Sequence, residues 1–207
     1  LLKDAFDAMP YKRLDRAEDA YEYFVIASLA TYEVTDPSVM VYLYNYGTGV
    51  TGFSKLGLDD FVESARRFKS CCDEMMDYAC RAKNNDWIRC AYGAKHKCMD
   101  LLFNDWNLRL GESDKPVAAR KMVSLFGDAE VASQVMRVAR DLLYEGLMGN
   151  DASSRGDLGI DYYDLAETLL GEASDDPYAN SMYRSMHAAV TAHLNDFVRS
   201  KEAASAR

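Results

Sequence analysis

The feature that most constrains the fold is the spacing of apolar residues, which recur every three or four positions along most of the 207-residue chain. The segment after Leu14 places one such set on a single helix face: Ala17, Tyr21, Phe24, Val25, Ser28 and Tyr32. Proline, which breaks helices, occurs only four times. The pattern therefore predicts an all-α protein, a single bundle of about seven to nine helices.

The strongest helical pattern lies near residues 58–108 and predicts an αα-hairpin. Its first helix covers residues 59–83 and carries a long apolar stripe: Leu58, Phe61, Val62, Ala65, Phe68, Cys72, Met75, Met76 and Ala79. The polar break 84–86 follows, and Asp86 is a suitable N-cap for a second helix that ends near Leu108. Because the break is so short, we expect the two helices to be antiparallel neighbours.

The second half of the chain continues the helical spacing over four further segments. They cover 116–126, a longer stretch after Gly127-Asp128 that ends near Met148, 162–170, and a last helix that starts around Asp176-Pro177. Gly149–Asp157 is rich in Gly, Asn, Asp and Ser and predicts the clearest surface loop. Lys201–Arg207 has no apolar stripe and predicts a frayed tail. We expect one helical domain over 1–207, with 111–114 as the only place for a weak subdivision.

One segment cannot be assigned from spacing alone. Val39–Tyr46 is rich in β-branched and aromatic residues, so a short buried helix and a strand both stay open. Gly47–Gly52 then matches G-x-G-x-x-G, whose glycines allow close approach to a pyrophosphate in dinucleotide folds. That fold places an acid about 20 residues later at a strand end, which here falls inside the long helix. We therefore interpret the glycines as a loop and expect no cofactor.

Composition and charge narrow the classes of function. The chain has 24 basic and 33 acidic residues, a formal net charge of -9. A negative surface repels polyanions, which disfavours nucleic acid and anionic membranes, and no apolar run is long enough to cross a membrane. Five cysteines confined to 71–98 do not resemble a secreted disulfide framework, and Leu1–Phe6 lacks signal-peptide features. We expect a cytoplasmic protein, in host cytoplasm if phage- or virus-encoded.

The cysteines raise the question of a zinc site, which their spacing opposes. Cys90 and Cys98 are eight residues apart on a helix, ~12 Å at ~1.5 Å per residue, whereas zinc ligands lie ~2.3 Å from the ion. Cys72 and Cys80 have the same spacing. We expect these four cysteines to line the hairpin seam as small apolar residues, and we predict no metal site.

Arg89 and His96 are seven residues apart on one predicted helix, so they project from nearly the same side. The Arg-x6-His spacing resembles the R-x4-6-H motif of HEPN-domain ribonucleases, which are all-helical and often dimeric. The resemblance covers these two residues, and Cys90 stands where that family commonly has a polar residue. It implies a metal-independent ribonuclease in which His96 transfers protons and Arg89 steadies the scissile phosphate.

The other two histidines lie on the last predicted helix. His187 and His193 are six residues apart, so they face different directions and are not expected to act as a pair. His193 falls on the apolar stripe of that helix. It is therefore expected to be a core or interface residue rather than a metal ligand.

Fourteen tyrosines are a high number, and tyrosine is enriched at protein interfaces because it combines a large apolar ring with a polar tip. Those expected to face water or a partner are Tyr23, Tyr78, Tyr144, Tyr163 and Tyr183, with Tyr42, Tyr44 and Tyr46 as a further contact surface. The sequence thus favours a non-catalytic protein that binds another protein or self-assembles, as an acidic adaptor, an inhibitor or a structural subunit. The alternative is the HEPN-like ribonuclease.

Overall fold

The structure, a computed structural model, describes residues 1–9, 14, 17–31, 54–148, 152–170 and 177–205. Every regular element within these residues is an α-helix: α1 (Leu2–Ala8), α2 (Glu18–Leu29), α3 (Leu58–Arg81), α4 (Asn85–Arg109), α5 (Lys115–Phe126), α6 (Asp128–Met148), α7 (Ala152–Leu169) and α8 (Pro177–Ser205). The all-α prediction is confirmed. The predictions for Val39–Tyr46, for Gly47–Gly52 and for Tyr42, Tyr44 and Tyr46 lie outside the described residues.

The chain divides into two compact units, unit 1 (Leu1–Leu102) and unit 2 (Phe103–Arg207). The division falls inside α4, upstream of the polar segment 111–114. The expectation of one domain over the whole chain stays a prediction.

The αα-hairpin of α3 and α4 has bounds within about two residues of those predicted. The connection includes Lys83, which adopts a positive φ of 52° and so reverses the chain. Asn84, rather than Asp86, caps α4, because its Oδ1 accepts hydrogen bonds from the backbone N–H of Asp86 at 2.9 Å and of Trp87 at 3.4 Å. The N-cap prediction was wrong because Asp86 already lies in the first helical turn, where its charge suits the helix dipole.

The core of unit 1 forms where α2 meets the hairpin. Phe24 of α2 makes edge-on ring contacts with Tyr78 of α3 at 6.2 Å and Trp87 of α4 at 5.4 Å, measured between centroids. Tyr78 was expected to face water or a partner, and this prediction was wrong: its side chain is buried. Burial is tolerated because its hydroxyl shares a hydrogen bond of 2.6 Å with Ser28 Oγ.

The cysteine prediction is correct for half of the set. Cys72 and Cys98 are buried, whereas Cys80 and Cys90 are exposed. Eight residues along an α-helix rotate the side-chain direction by about 80°, so both members of such a pair cannot face the same seam. The other buried cysteine of α3 is Cys71, which directly precedes Cys72.

The core of unit 2 surrounds α6. Eight consecutive residues, 129–136, are buried in this helix, as are the apolar residues that follow at helical spacing: Val138, Ala139, Leu142 and Leu143. A helix with buried residues on every side must be covered by its neighbours. In unit 2 those neighbours are α5, α7 and α8.

The predicted surface loop at Gly149–Asp157 is wrong from Ala152 onward, because α7 begins there. Gly156 serves packing rather than a turn: a Cβ on Gly146 of α6 would lie 2.8 Å from Gly156 Cα, and a Cβ on Gly156 would overlap the Phe197 ring of α8. Small residues let α6 and α7 approach closely, a role that loop-like composition conceals. The last helix is likewise longer than expected and extends to Ser205.

The predicted fraying after Lys201 is therefore wrong for the residues described. Lys201 Nζ donates to Asp157 Oδ1 of α7 at 2.6 Å and lies 5.7 Å from the centroid of the Phe197 ring. These contacts hold the last turns of α8 against α7. The sequence has no apolar stripe after Lys201. Helix propensity and the ion pair with Asp157 stabilise this end of α8 instead.

Candidate functional site

Unit 1 contains an apolar groove between α2 and α4, with a volume of about 460 Å³. Its walls include Tyr23, Phe24 and Ala27 of α2, together with Trp87, Cys98 and Leu101 of α4. The α2 residues follow the three-and-four spacing that places side chains on one helix face. Alanine at position 27 leaves open the space between the larger rings, so the sequence of α2 itself creates the hollow.

A second hollow of about 460 Å³ continues along α2. It shares Tyr23, Ala27 and Trp87 with the first, and it extends past Ile26 to Leu1. The two hollows together form what we call the α2 groove. Its length along one helix distinguishes it from a compact small-molecule pocket.

The α2 groove is bordered by large apolar side chains that remain in contact with water. Tyr23 is 60% exposed, Leu1 55% and Leu101 51%. Burying apolar surface is worth roughly 25 cal/mol per Å². Covering these exposed side chains would therefore add a favourable free energy of burial. Clustered apolar exposure of this kind is common at interaction surfaces.

Among the residues that the structure describes, the charges around the α2 groove are unevenly distributed. The first turns of α2 expose Glu18, Asp19 and Glu22, and no basic residue occurs in this helix. Asp19 lines the groove on the α2 side, and Lys97 lines it on the α4 side. An acidic end beside an apolar channel favours a ligand that carries both apolar and basic groups.

The structure places Arg89 and His96 on α4, as the sequence indicated. Arg89 is largely exposed, and its Nη1 lies 4.0 Å from Asp86 Oδ1. His96 Nε2 lies 3.8 Å from Asp100 Oδ1. Each residue thus has an acidic neighbour on its own helix, within unit 1. A phosphate-binding arginine would have to exchange its neighbouring carboxylate for the substrate.

Unit 2 contains a cluster of titratable side chains between α7 and α8. His187 Nε2 lies 3.0 Å from Tyr163 Oη and 3.4 Å from Glu167 Oε1, and its ring stands 5.7 Å from those of Tyr163 and Tyr183. Tyr183 donates a hydrogen bond to Glu167, and burial together with this carboxylate raises the pKa of Tyr183. These polar groups satisfy one another across two helices, which is the arrangement of a structural network.

The remaining sequence-predicted residues take ordinary positions. His193 is half-buried, with its ring 6.2 Å from that of Tyr144, in agreement with a core or interface role. Tyr144 is 53% exposed, as expected, whereas Tyr163 and Tyr183 are half-buried in the His187 cluster. Among the described side chains, no group of three or more His, Cys, Asp or Glu is arranged to hold a metal ion.

Sequence reasoning missed an ion pair in unit 2 that joins a buried lysine to an exposed glutamate. Lys115 is 1% exposed, and its Nζ donates to Glu112 Oε1 and to Tyr162 Oη, both at 2.8 Å. Tyr162 Oη in turn donates to Glu112 Oε2 at 2.6 Å. Trp106 Nε1 donates to the Lys115 carbonyl at 2.9 Å, and its ring lies 5.5 Å from Lys115 Nζ. The network of these four residues ties α5 to α7, and two of the three donors of Lys115 Nζ are satisfied within it.

Comparison with protein-family models, with curated proteins and with solved structures gave no match. In the part of the chain that the structure describes, no helix is both long and apolar enough to cross a membrane. Among the described residues, the α2 groove combines an apolar hollow with exposed apolar side chains at its border.

Proposed function

We propose that this chain is a non-catalytic helical protein that acts by binding another protein, and that the α2 groove is the binding surface. The exposure of Tyr23, Leu101 and Leu1 around a continuous apolar channel is the observation that carries the proposal. Aromatic and leucine side chains at a channel supply large contact area for little loss of side-chain entropy. The role is that of an adaptor or inhibitor, consistent with the acidic charge of the chain.

The partner segment that fits this surface is an amphipathic helix. Such a helix presents apolar side chains at positions i, i+4 and i+7, which insert along a groove formed by two helices. Basic residues on its flanks would meet Glu18, Asp19 and Glu22 at the beginning of α2. The surface therefore selects a basic amphipathic helix over an acidic one of the same apolar pattern.

The direct test uses two synthetic peptides with identical leucine positions, one with lysine and one with glutamate at the remaining polar positions. Trp87 lies in the wall of both hollows, whereas Trp106 is buried in unit 2, so a change in tryptophan emission on titration reports binding at the groove. We expect the lysine peptide to bind at least about tenfold more tightly than the glutamate peptide, a difference of about 1.4 kcal/mol. Added salt should reduce the difference.

A matched pair of leucines on α4 supplies the control. Leu101 lines the groove and is 51% exposed, whereas Leu108 is 69% exposed and belongs to unit 2. We expect Leu101→Asp to weaken binding of the lysine peptide about tenfold or more, because an apolar anchor is lost, and Leu108→Asp to leave it unchanged. Equal effects of the two substitutions, or equal binding of the two peptides, would contradict the proposal.

Self-assembly is the competing use of the same surface. Sedimentation velocity over a range of concentrations separates the two. A monomer supports the partner-binding proposal, whereas a dimer that Leu101→Asp dissociates and Leu108→Asp does not would assign the groove to a second copy of the chain.

A further inference from the structure

The two hollows of the α2 groove differ in charge. The lining of the first includes Asp19 of α2 and Lys97 of α4, whereas no charged side chain occurs among the described residues that line the second. Asp19 Oδ1 accepts a hydrogen bond from the backbone N–H of Ala20 at 2.9 Å, which holds its carboxylate at the start of α2. The groove therefore has a charged end and an apolar end.

Carboxylates outnumber ammonium groups among the described residues at the charged end. Glu18 and Glu22 are exposed on α2, and Glu22 lies about one turn before Ile26, which lines the groove. Together with Asp19, they give three negative charges against the one positive charge of Lys97. This end of the groove thus attracts cationic side chains.

Contacts with α3 fix the direction of α2 within unit 1. Cys71 Sγ donates to the Ala17 carbonyl at 3.1 Å, and Ser28 Oγ shares a hydrogen bond of 2.6 Å with Tyr78 Oη. α2 therefore runs parallel to α3 and antiparallel to α4, the second helix of the hairpin. The charged end of the groove lies where α2 begins, and the apolar end lies where α2 ends, beside Trp87 at the start of α4.

The two walls of the groove have nearly the same length. On α4 the lining extends from Trp87 to Leu101, about 21 Å at the helical rise of ~1.5 Å per residue. On α2 it extends from Ala17 to Ala30, about 20 Å by the same rise. A helix of about four turns has this length, because each turn rises about 5.4 Å.

We infer that the α2 groove selects a helix of about four turns whose basic side chains lie at one end, and that this basic end lies at the start of α2. The inference rests on the proposed function and adds the length and the orientation of the bound helix. Side-chain charge sets the orientation, because a helix dipole places only about half an elementary charge at each terminus, whereas every lysine adds a full charge. Among the described residues that line the second hollow, no carboxylate is available to a lysine placed there.

Peptides of different length test the first part of the inference on the full chain. They contain two, four or six helical turns, repeat one pattern of leucines, carry three lysines at one end and are held helical by a side-chain staple facing the solvent. Trp87 emission reports their affinities. We expect affinity to rise at least about tenfold from two to four turns and less than about threefold from four to six, because further turns extend past the walls. An equal gain at six turns would overturn the inferred length.

Two four-turn peptides test the orientation, one with its three lysines at the N-terminal end and one with them at the C-terminal end. Each carries a nitroxide beside the lysines, and the methyl NMR signals of Leu101 and Ala30 report the charged and the apolar end of the groove. We expect both peptides to broaden the Leu101 signals more strongly than the Ala30 signal, so that the two peptides bind in opposite directions. Stronger broadening of Ala30 by either peptide shows that charge does not set the orientation.

Substitutions of opposite charge at the same end supply the matched control. We expect Asp19→Asn to weaken binding of both lysine peptides about three- to tenfold, and Lys97→Met, which keeps an apolar stem in the groove, to tighten it about two- to fivefold. A four-turn peptide with glutamine in place of the lysines should respond to neither substitution. If no peptide binds, the proposed function fails. If the peptides bind without regard to length, lysine position or these substitutions, this inference alone fails.

Discussion

α2 of unit 1 and α6 of unit 2 are both rich in apolar residues, yet they use them differently. In α6, the stretch 129–136 is buried without interruption, and Leu142 and Leu143 continue the core. In α2, Tyr21, Phe24 and Val25 are buried, whereas Tyr23 is 60% exposed. The stretch 129–136 of α6 is fully covered by its own unit, whereas the middle of α2 leaves Tyr23 in contact with water.

The difference separates apolar surface that stabilises the fold from apolar surface that remains accessible. A helix that is covered on all sides contributes its full apolar area to folding, and its sequence is constrained by packing alone. A helix that leaves an aromatic residue at a groove gives up part of that stabilisation, which a binding partner can then recover. We therefore expect substitutions inside unit 2 to change stability strongly, and substitutions on the open faces of unit 1 to change it little.

The largest effect is expected at the ion pair of the buried Lys115 in unit 2. Glu112→Ala leaves the Lys115 ammonium buried without its carboxylate and should lower the free energy of unfolding by about 3 kcal/mol. Lys115→Met fills similar volume and releases Glu112, which is largely exposed, so its cost should stay within about 1 kcal/mol. Urea unfolding of both variants measures the contrast.

A surface ion pair of the same unit is the control for that experiment. Glu145 and Arg155 are 3.7 Å apart, with side chains more than half exposed. Glu145→Ala should therefore cost less than about 1 kcal/mol. If Lys115→Met proves more destabilising than Glu112→Ala, the buried charge is not the source of the cost.

The next effect concerns the close approach of α6 and α7. Gly156→Ala places a methyl group against the Phe197 ring and should destabilise the protein by about 1–3 kcal/mol. Thermal and urea unfolding report the loss. Combining it with Phe197→Leu should cost less than the sum of the two single changes, because the smaller side chain relieves the overlap. Strict additivity would mean that the ring is not what Gly156 accommodates.

A pH-dependent effect of intermediate size comes from Tyr162. Burial and the hydrogen bond to Glu112 raise the pKa of Tyr162 above its ordinary value of 10.0. The unfolded chain therefore loses this proton first, so stability is fully present below pH 10 and falls as the pH rises above it, by about 1.4 kcal/mol per pH unit. Tyr162→Phe should flatten the decline in unfolding free energy between pH 10 and 11, whereas Tyr144→Phe, at an exposed tyrosine, should not.

The smallest effect, and the only stabilising one, is expected in unit 1. A Cβ on Gly93 of α4 would have no neighbouring atom within 4 Å, so Gly93→Ala adds no overlap and removes the entropic penalty of glycine in a helix. We expect a gain of about 0.5–1 kcal/mol in the urea unfolding free energy. A loss comparable to that of Gly156→Ala would contradict the contrast between an open face in unit 1 and a filled interior in unit 2.

The sequence predicted the helices of the central region well because their apolar stripes are long and regular, as in α3 and α6. It failed where composition and packing conflict. α1 is only seven residues long, shorter than the window over which helical periodicity is recognised, and the first turns of α7 contain the Gly and Ser typical of loops. Gly156 is helical because Gly146 and Phe197 require a small residue there, and spacing along one segment cannot reveal that requirement.

The candidate sites were harder to predict for the same reason. Exposure of Tyr23 followed from the periodicity of α2, but the groove also needs Leu101, which comes from another helix. The spacing of Glu112 and Lys115 was visible in the sequence, yet the burial of Lys115 depends on Tyr162, 47 residues later. Contacts between distant segments decide both sites, and a single sequence carries no direct record of them.

The burial of Lys115 has a consequence for chemical labelling. Amine reagents modify lysine side chains that meet the solvent, and a side chain that is 1% exposed can react only when the surrounding helices separate. The rate of acylation at Lys115, compared with the rate at exposed lysines such as Lys121, therefore measures how often unit 2 opens locally. Quantitative mass spectrometry can determine both rates without any mutation of the chain.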